Sequence, residues 1–240
     1  MEMMDVRHKE TLNALKLFVR QKPLYGLRRY LDFGCGDGTF TAIVAKTLNC
    51  QEIYGVDISP EEPMKAKMVD FQAYRADLNT GNLPFNNEEF DVVTAFDVIE
   101  HLWNTDNLLS EAYRTLKPDG YIIITSPNLA SWANRLLLLF GYLPFHYECS
   151  LKKDVEKRPL QNSTGIETHI RLYTFKTLAN HLKSYRFKII HLQSLHLAYT
   201  SSNPVVNVFD KIFSVRKTIG AGIFLIATKQ ESDNERTRSL

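Results

Sequence analysis

Four aspartates and three closely spaced glycines are the residues of this chain whose types and spacing best support chemistry. The glycines, Gly34, Gly36 and Gly38, stand at alternate positions in RYLDFGCGDGTF, between a short apolar run and a helix-compatible one. Glycine adopts positive φ without steric cost and lets a ligand approach the backbone, while the free N–H groups of the following helix face the same spot. A dinucleotide-binding turn requires GxGxxG. Here the third glycine comes one residue early, and Asp37 would repel a diphosphate at that helix start. The turn therefore suits a zwitterionic or cationic ligand. Asp57 ends the apolar run QEIYGVDI, where a carboxylate can accept both hydroxyls of a ribose, and Asp77 ends the next run, placed for an adenine amino group. Asp32 and Asp97 close two further runs. Each acid taken singly also reads as a helix cap or turn support, but four at matching strand ends read as a ligand site for an adenosine-bearing molecule, since open α/β sheets bind ligands beyond the carboxyl ends of their strands.

The elements that must position these residues follow from periodicity. Thr11 to Gln21 has helical spacing of Leu12, Leu15 and Phe18, and Thr39 to Leu48 places Phe40, Ile43, Val44 and Leu48 on one face. Strands are expected at Tyr30–Phe33, Gln51–Ile58, Phe71–Ala76, Phe90–Phe96, Tyr121–Thr125, Lys188–Leu197 and Gly222–Thr228, with helices from Pro60 to Asp70, from about Thr105 to Leu116 and from Thr174 to Tyr185. Asn79 to Glu89 reads as a polar loop and Lys117-Pro118-Asp119-Gly120 as a turn. Alternation of strand and helix up to Thr125 is the pattern of a doubly wound sheet. The alternation breaks between 127 and 173, too long a connection for an ordinary loop, so that stretch is expected to be a lid or substrate-binding insertion within a single domain of residues 1–240. It contains an apolar helix, Trp132 to Tyr142, and a polar stretch from Cys149 to Gly165.

Composition narrows the class. The 240 residues are 44% hydrophobic and 23% charged, enough for a full core, and the net charge of +2 lacks the basic excess of a dedicated nucleic-acid binder. Three cysteines, far apart and without a CxxC pair, suggest neither a disulfide framework nor a zinc site, and no metal is expected. A reducing, cytoplasmic setting fits best. The charged N-terminus does not read as a secretory signal, and the run Leu136 to Phe140 is far short of the ~20 residues that span a bilayer.

The chain resembles the class I S-adenosylmethionine-dependent methyltransferases, closely over about residues 27 to 126 and more loosely at the end. LDFGCGDGTF resembles the family's first motif, VDIS its ribose-binding acid, ADLNTGNLPFNNEEFDVV its adenine and fourth-strand region, and LKPDGYIIIT its fifth strand. The resemblance implies a Rossmann-like, doubly wound, seven-stranded and mostly parallel sheet with an antiparallel last strand. It implies that Gly34 and Gly36 approach the methionine part of the cofactor and Asp32 its amino group. Asp57 would bind the ribose, Ile58 pack on adenine, and Asp77 with Leu78 hold the adenine edge, beside Phe96; S-adenosylhomocysteine is the implied product. FDVIEHL is similar to the subset acting on small molecules, including quinone O-methyltransferases, and lacks the (D/N)PPY of nucleic-acid amino-methylating enzymes. SPNLASWANRLLLLFGYLP followed by HIRLYT is similar to methyltransferases of cell-surface sugar or lipid pathways.

A hydroxyl acceptor holds its proton at neutral pH, so a base is wanted. His101, just past the fourth strand end, is the first candidate and His169 the second. His169, Arg171 and Tyr173 alternate, which sets them on one side of an extended segment, and Arg171 suits an acidic group on the acceptor. Trp132, Arg171 and Tyr173 are the expected acceptor contacts; His146 and Glu148 are weaker candidates. The apolar helix suggests a partly apolar acceptor, with peripheral membrane contact. Both histidines also read as structural hydrogen-bonding groups. A protein or RNA acceptor, or a cofactor-holding scaffold without turnover, are the competing readings, and the oligomeric state is not legible.

Overall fold

The computed structural model describes residues 6–59, 71–147, 150, 169–196, 208, 212 and 218–230. The helix expected from Pro60 to Asp70, Glu148 and most of the polar stretch from Cys149 to Gly165 lie outside the described residues.

Alternation of apolar side chains along the central runs divides them between two cores. Tyr30, Val92 and Ile123 face one core and Leu31, Val93, Ile122 and Ile124 the other, the period-2 consequence of a pleated strand buried on both sides. Strands β1 (Arg29–Phe33), β2 (Glu52–Asp57), β3 (Phe71–Arg75), β4 (Phe90–Phe96), β5 (Leu116–Pro127), β6 (Phe187–Leu195) and β7 (Gly222–Lys229) form one sheet in the order β3-β2-β1-β4-β5-β7-β6. Pairs from β3 to β5 are parallel, and β7 runs antiparallel to both β5 and β6. Helices α1 (Val6–Gln21) and α2 (Thr39–Leu48) cover one face, contributing Leu15, Phe18 and Val44 to the core there. Helices α3 (Thr105–Thr115) and α5 (Phe175–Ser184) cover the other with Leu108, Leu109, Leu178 and Leu182. Each such fully buried aliphatic side chain is worth about 1.5–3 kcal/mol, so sheet position is fixed chiefly by this burial.

One local reading is refined. The loop before β4 is less polar in effect than in composition. Leu83 and Phe85 pack into the core, and the backbone they carry with them is satisfied: the Arg114 guanidinium donates to both of their carbonyls and the Glu111 carboxylate accepts from the Leu83 amide.

Beyond β5, Asn128 bridges Tyr173, so the two ends of the 127–173 stretch meet beside the sheet. Its apolar helix is α4 (Trp132–Leu139), capped by the Ser131 hydroxyl, which accepts from the Asn134 amide; Gly141 closes it at φ 80°. No helix among the described residues is long and apolar enough to cross a membrane.

Candidate functional site

The turn after β1 is fixed to the end of β2 from both sides. Gly34 and Cys35 donate their amides to the Val56 carbonyl at 2.8 and 3.1 Å, and the Gly36 amide donates to Asp57 Oδ2 at 2.9 Å. The three glycines take φ of 75°, 51° and 78°, the left-handed region, and a Cβ on Gly34 would overlap the Val98 side chain. Gly38 then serves as N-cap of α2. The sequence folds this way because only glycine satisfies both the dihedral and the close approach.

A cleft of about 350 Å³ opens at the carboxyl ends of β1, β2 and β4, within the roughly 300–1,000 Å³ of small-molecule sites. It brings together Gly34, Asp57, Ile58, Asp77, Leu78 and Phe96 from the expected cofactor set, and His101 from the expected catalytic pair. Asp57 Oδ1 accepts the Ser59 amide at 2.9 Å, so each of its oxygens has one backbone donor and keeps a lone pair for a ligand hydroxyl. Ile58 is 61% exposed at the mouth and offers an apolar surface there. Asp77 Oδ1 accepts both the amide and the side-chain nitrogen of Asn79 at 2.9 Å, which holds its carboxyl below the usual range.

Residues that the sequence reading passed over fasten this corner. Asn79 Oδ1 accepts the amides of Trp103 and Asn104, and Asn107 Nδ2 donates to the Leu78 carbonyl, tying the loop to the start of α3. Only the recurrence of asparagine near the strand end hinted at them. Asp97, Val98 and Leu102 complete the wall, with Asp97 at φ 52° and its carboxylate accepting from the Thr125 hydroxyl.

Asp32 and Gly36 do not line the cleft. Asp32 is buried under it, accepting hydroxyl hydrogen bonds from Thr41 at 2.6 Å and Thr94 at 2.5 Å. Burial pushes its pKa up to about 6 against the opposing pull of those hydroxyls. It thus braces α2 and β4 beneath the turn. Cys35 offers no nucleophile, since burial pushes its thiol up to about 12.

Beyond the cleft, a 3₁₀ turn (Ile99–His101) carries Glu100 and His101. The Glu100 carbonyl accepts the amides of Ile170 and Arg171 at 2.8 and 3.0 Å, a backbone clasp that seats His169 over His101 with ring centroids 4.6 Å apart and planes at 30°. His146 meets His169 edge-on at 5.3 Å. Glu100 has no solvent exposure, and neither carboxylate oxygen has a hydrogen-bond partner among the described residues. Burial, then the charge of Asp97, pushes its pKa well above the carboxylate range. The donor atoms of Glu100, His101 and His169 lie within 4.8 Å of one another.

The alternating trio diverges. His169 is buried on His101, Arg171 donates to the Trp103 carbonyl at 3.1 Å, and Tyr173 turns into the core, its hydroxyl 3.1 Å from His181 Nδ1. His181 Nε2 in turn meets Asp106 at 2.9 Å. The segment makes only one bridge, at Tyr173, so strand alternation does not govern its side chains. Trp132 lines a separate apolar pocket of about 180 Å³ with Leu136, Leu137, Phe140, Tyr142 and Phe145. Phe145 precedes His146, so this pocket neighbours the histidine cluster.

Asp57, Asp77 and Asp97, with no ion-pair partner among the described residues, face a cavity beside a glycine cradle. This donor set fits a ligand rich in hydroxyls and positive charge. A family model described as a methyltransferase domain matches residues 7–192. The chain is 33% identical over 104 residues to a Mycolicibacterium smegmatis chain named as a probable S-adenosylmethionine-dependent methyltransferase, covering 42% of this chain and 38% of that one. It is 33% identical over 111 residues to an Azorhizobium caulinodans ubiquinone biosynthesis O-methyltransferase, covering 45% and 43%. The matched stretch thus spans about two-fifths of these relatives. In fold, a chain of the Haloferax volcanii complex containing the Trm112 methyltransferase activator superposes with TM-score 0.65 at 14% identity, covering 94% of this chain and 91% of that one. Sheet order, glycine cradle and family match agree, and the chain belongs to the class I S-adenosylmethionine-dependent methyltransferase family.

Proposed function

We propose that the protein transfers a methyl group from S-adenosylmethionine to an oxygen of a small, partly apolar acceptor, of sugar, lipid or quinone type. The observation that carries the reading is the cleft that gathers Gly34, Asp57, Ile58, Asp77, Leu78 and Phe96 around one cavity with His101 at its rim. Asp57 would take the ribose hydroxyls, Asp77 and Leu78 the adenine edge, and Ile58 and Phe96 its faces. The cofactor supplies a methyl on a positively charged sulfur, so acceleration comes mainly from aligning the acceptor oxygen in line with it. His101 and His169 are the polar groups at that acceptor end.

The acceptor's apolar part would run over the stretch 127–173, acting as a lid. In support, the 180 Å³ apolar pocket on α4 adjoins the histidine cluster through Phe145 and His146. Leu138, Leu139 and Phe140 beside it are left exposed.

Calorimetry with S-adenosylmethionine and S-adenosylhomocysteine tests the cofactor reading: wild type binds both, and Asp57→Ala weakens binding at least about tenfold. Absence of binding by wild type, or undiminished binding by the variant, overturns it. Release of S-adenosylhomocysteine on incubation with small-molecule extracts but not with RNA or protein supports the acceptor class; the reverse pattern assigns a macromolecular acceptor.

A further inference from the structure

We infer that Glu100, His101 and His169 form a binding site for a divalent first-row transition-metal ion at the rim of the cleft. One carboxylate and two imidazoles, with donor atoms within 4.8 Å of one another, form a cluster that nothing in the methyl-donor site explains. Mixed nitrogen and oxygen donors suit Zn²⁺, Fe²⁺, Co²⁺ or Mn²⁺ better than Mg²⁺ or Ca²⁺, which take oxygen, or Cu⁺, which takes sulfur.

The second observation is Glu100 itself. A buried carboxyl group whose two oxygens have no hydrogen-bond partner among the described residues is an unsatisfied polar group, and a cation placed at it would satisfy both oxygens. A metal ion between Glu100 and the imidazoles supplies the missing partner.

The third is preorganisation. The double hydrogen bond from Ile170 and Arg171 to the Glu100 carbonyl sets the 169 segment on the 3₁₀ turn through backbone alone, so the two histidines meet whether or not a ligand joins them. With metal–ligand bonds of about 2.0–2.2 Å, donors in a filled site stand roughly 3–3.5 Å apart. The donor atoms already lie within 4.8 Å of one another, and the exposed His101 has room to turn toward the other two. Three protein donors leave coordination positions open, as in catalytic rather than structural sites.

The role of the ion rests on the methyl-transfer reading. An acceptor hydroxyl binding an open position would lose its proton to solvent, because the cation lowers its pKa. The resulting oxygen anion then forms the new O–C bond while the C–S bond breaks, and sulfur keeps the electron pair as the neutral thioether of S-adenosylhomocysteine. His101 then acts as a ligand rather than as the base.

The test is titration of the full chain, stripped with a chelator, with Co²⁺ followed by visible absorption and with Zn²⁺ by calorimetry. One equivalent is expected to bind, and Glu100→Gln, His101→Ala and His169→Ala each to weaken it by at least about tenfold. S-Adenosylhomocysteine affinity, measured in the same samples, reports separately on fold and cofactor site. No metal binding by wild type, or equal binding by Glu100→Gln in a sample that holds S-adenosylhomocysteine, overturns the site. Binding of metal without any effect of chelator on turnover overturns its role, and loss of S-adenosylhomocysteine binding by wild type overturns the methyltransferase reading instead.

Discussion

The two ends of the sheet treat charge in opposite ways. At the amino ends, acids and bases are matched: Arg28 and Arg29 meet Glu52 at 2.7 and 2.6 Å, Arg29 reaches Glu89 at 3.1 Å, and Lys117 meets Asp91 at 2.7 Å. Asp91 also accepts the amides of Arg28 and Arg29, fastening β1 to β4. At the carboxyl ends, Asp57, Asp77, Asp97 and Glu100 have no ion-pair partner among the described residues. One end is self-sufficient and structural; at the other, the acids stand without a counter-charge among the described residues. Surface pairs such as those of Arg28 add little to stability, typically under about 1 kcal/mol, so the contrast concerns function more than stability.

The largest expected effect breaks the carboxyl end outright. Gly34→Val forces a side chain against Val98 at φ 75°, with a cost of about 3 kcal/mol in denaturant unfolding and loss of S-adenosylhomocysteine binding. Unchanged unfolding and binding in this variant would show that the cradle is not the constraint it appears from its dihedral.

A paired comparison sharpens the difference between the ends. Asp91→Ala is expected to cost about 2 kcal/mol of stability by stranding two amides and an ammonium, with cofactor affinity within about twofold of wild type. Asp57→Ala is expected to do the converse, with its main loss in binding. If each variant showed the other's phenotype, the division of labour would be refuted.

Acid titration gives a third contrast. Asp91 is drawn up by burial, but the Arg29 amide, Lys117 and the Arg28 amide outweigh it and hold its pKa below the usual range. Its contribution is present above the unfolded value and is lost as pH falls. Asp32 has the opposite sign, since burial raises it to about 6. Its folded form holds the proton more tightly than the unfolded chain, so stability declines as pH rises from about 4 to about 6, by about 3 kcal/mol. Unfolding curves of wild type and Asp32→Asn across that window are expected to differ in slope by this amount; parallel curves would contradict it.

The smallest effect is expected at α4. Leu139 is 75% exposed, so Leu139→Ser should move stability by no more than about 0.5 kcal/mol. A larger loss would mean that the helix is covered rather than open to an acceptor.

Much of this was legible in the chain. The glycine spacing, the acids at strand ends and the alternation of runs depend on local dihedral and burial preferences that each residue expresses for itself, so the sheet and its ligand-facing end follow from composition and period. Long-range pairing is less legible. Asp32 reads as a ligand-facing acid, yet Thr41 and Thr94, which sequence cannot bring to it, draw it beneath the turn. Leu83 and Phe85 sit in a segment of polar composition yet pack into the core with Tyr54 and Phe90, while distant Arg114 satisfies their carbonyls.

His101 and His169 stood out by residue type and by position, one just past a strand end and the other in an alternating trio with Arg171 and Tyr173. That they stack, and that Glu100 lies buried against them without a partner among the described residues, depends on the Glu100 carbonyl accepting two amides from the far end of the 127–173 stretch. The sequence by itself determined the sheet and the acids at its ligand end, because those rest on local periodicity. Only the tertiary structure decided which side chains meet, because contacts between residues nearly seventy positions apart are set by backbone closure and not by any pattern along the chain.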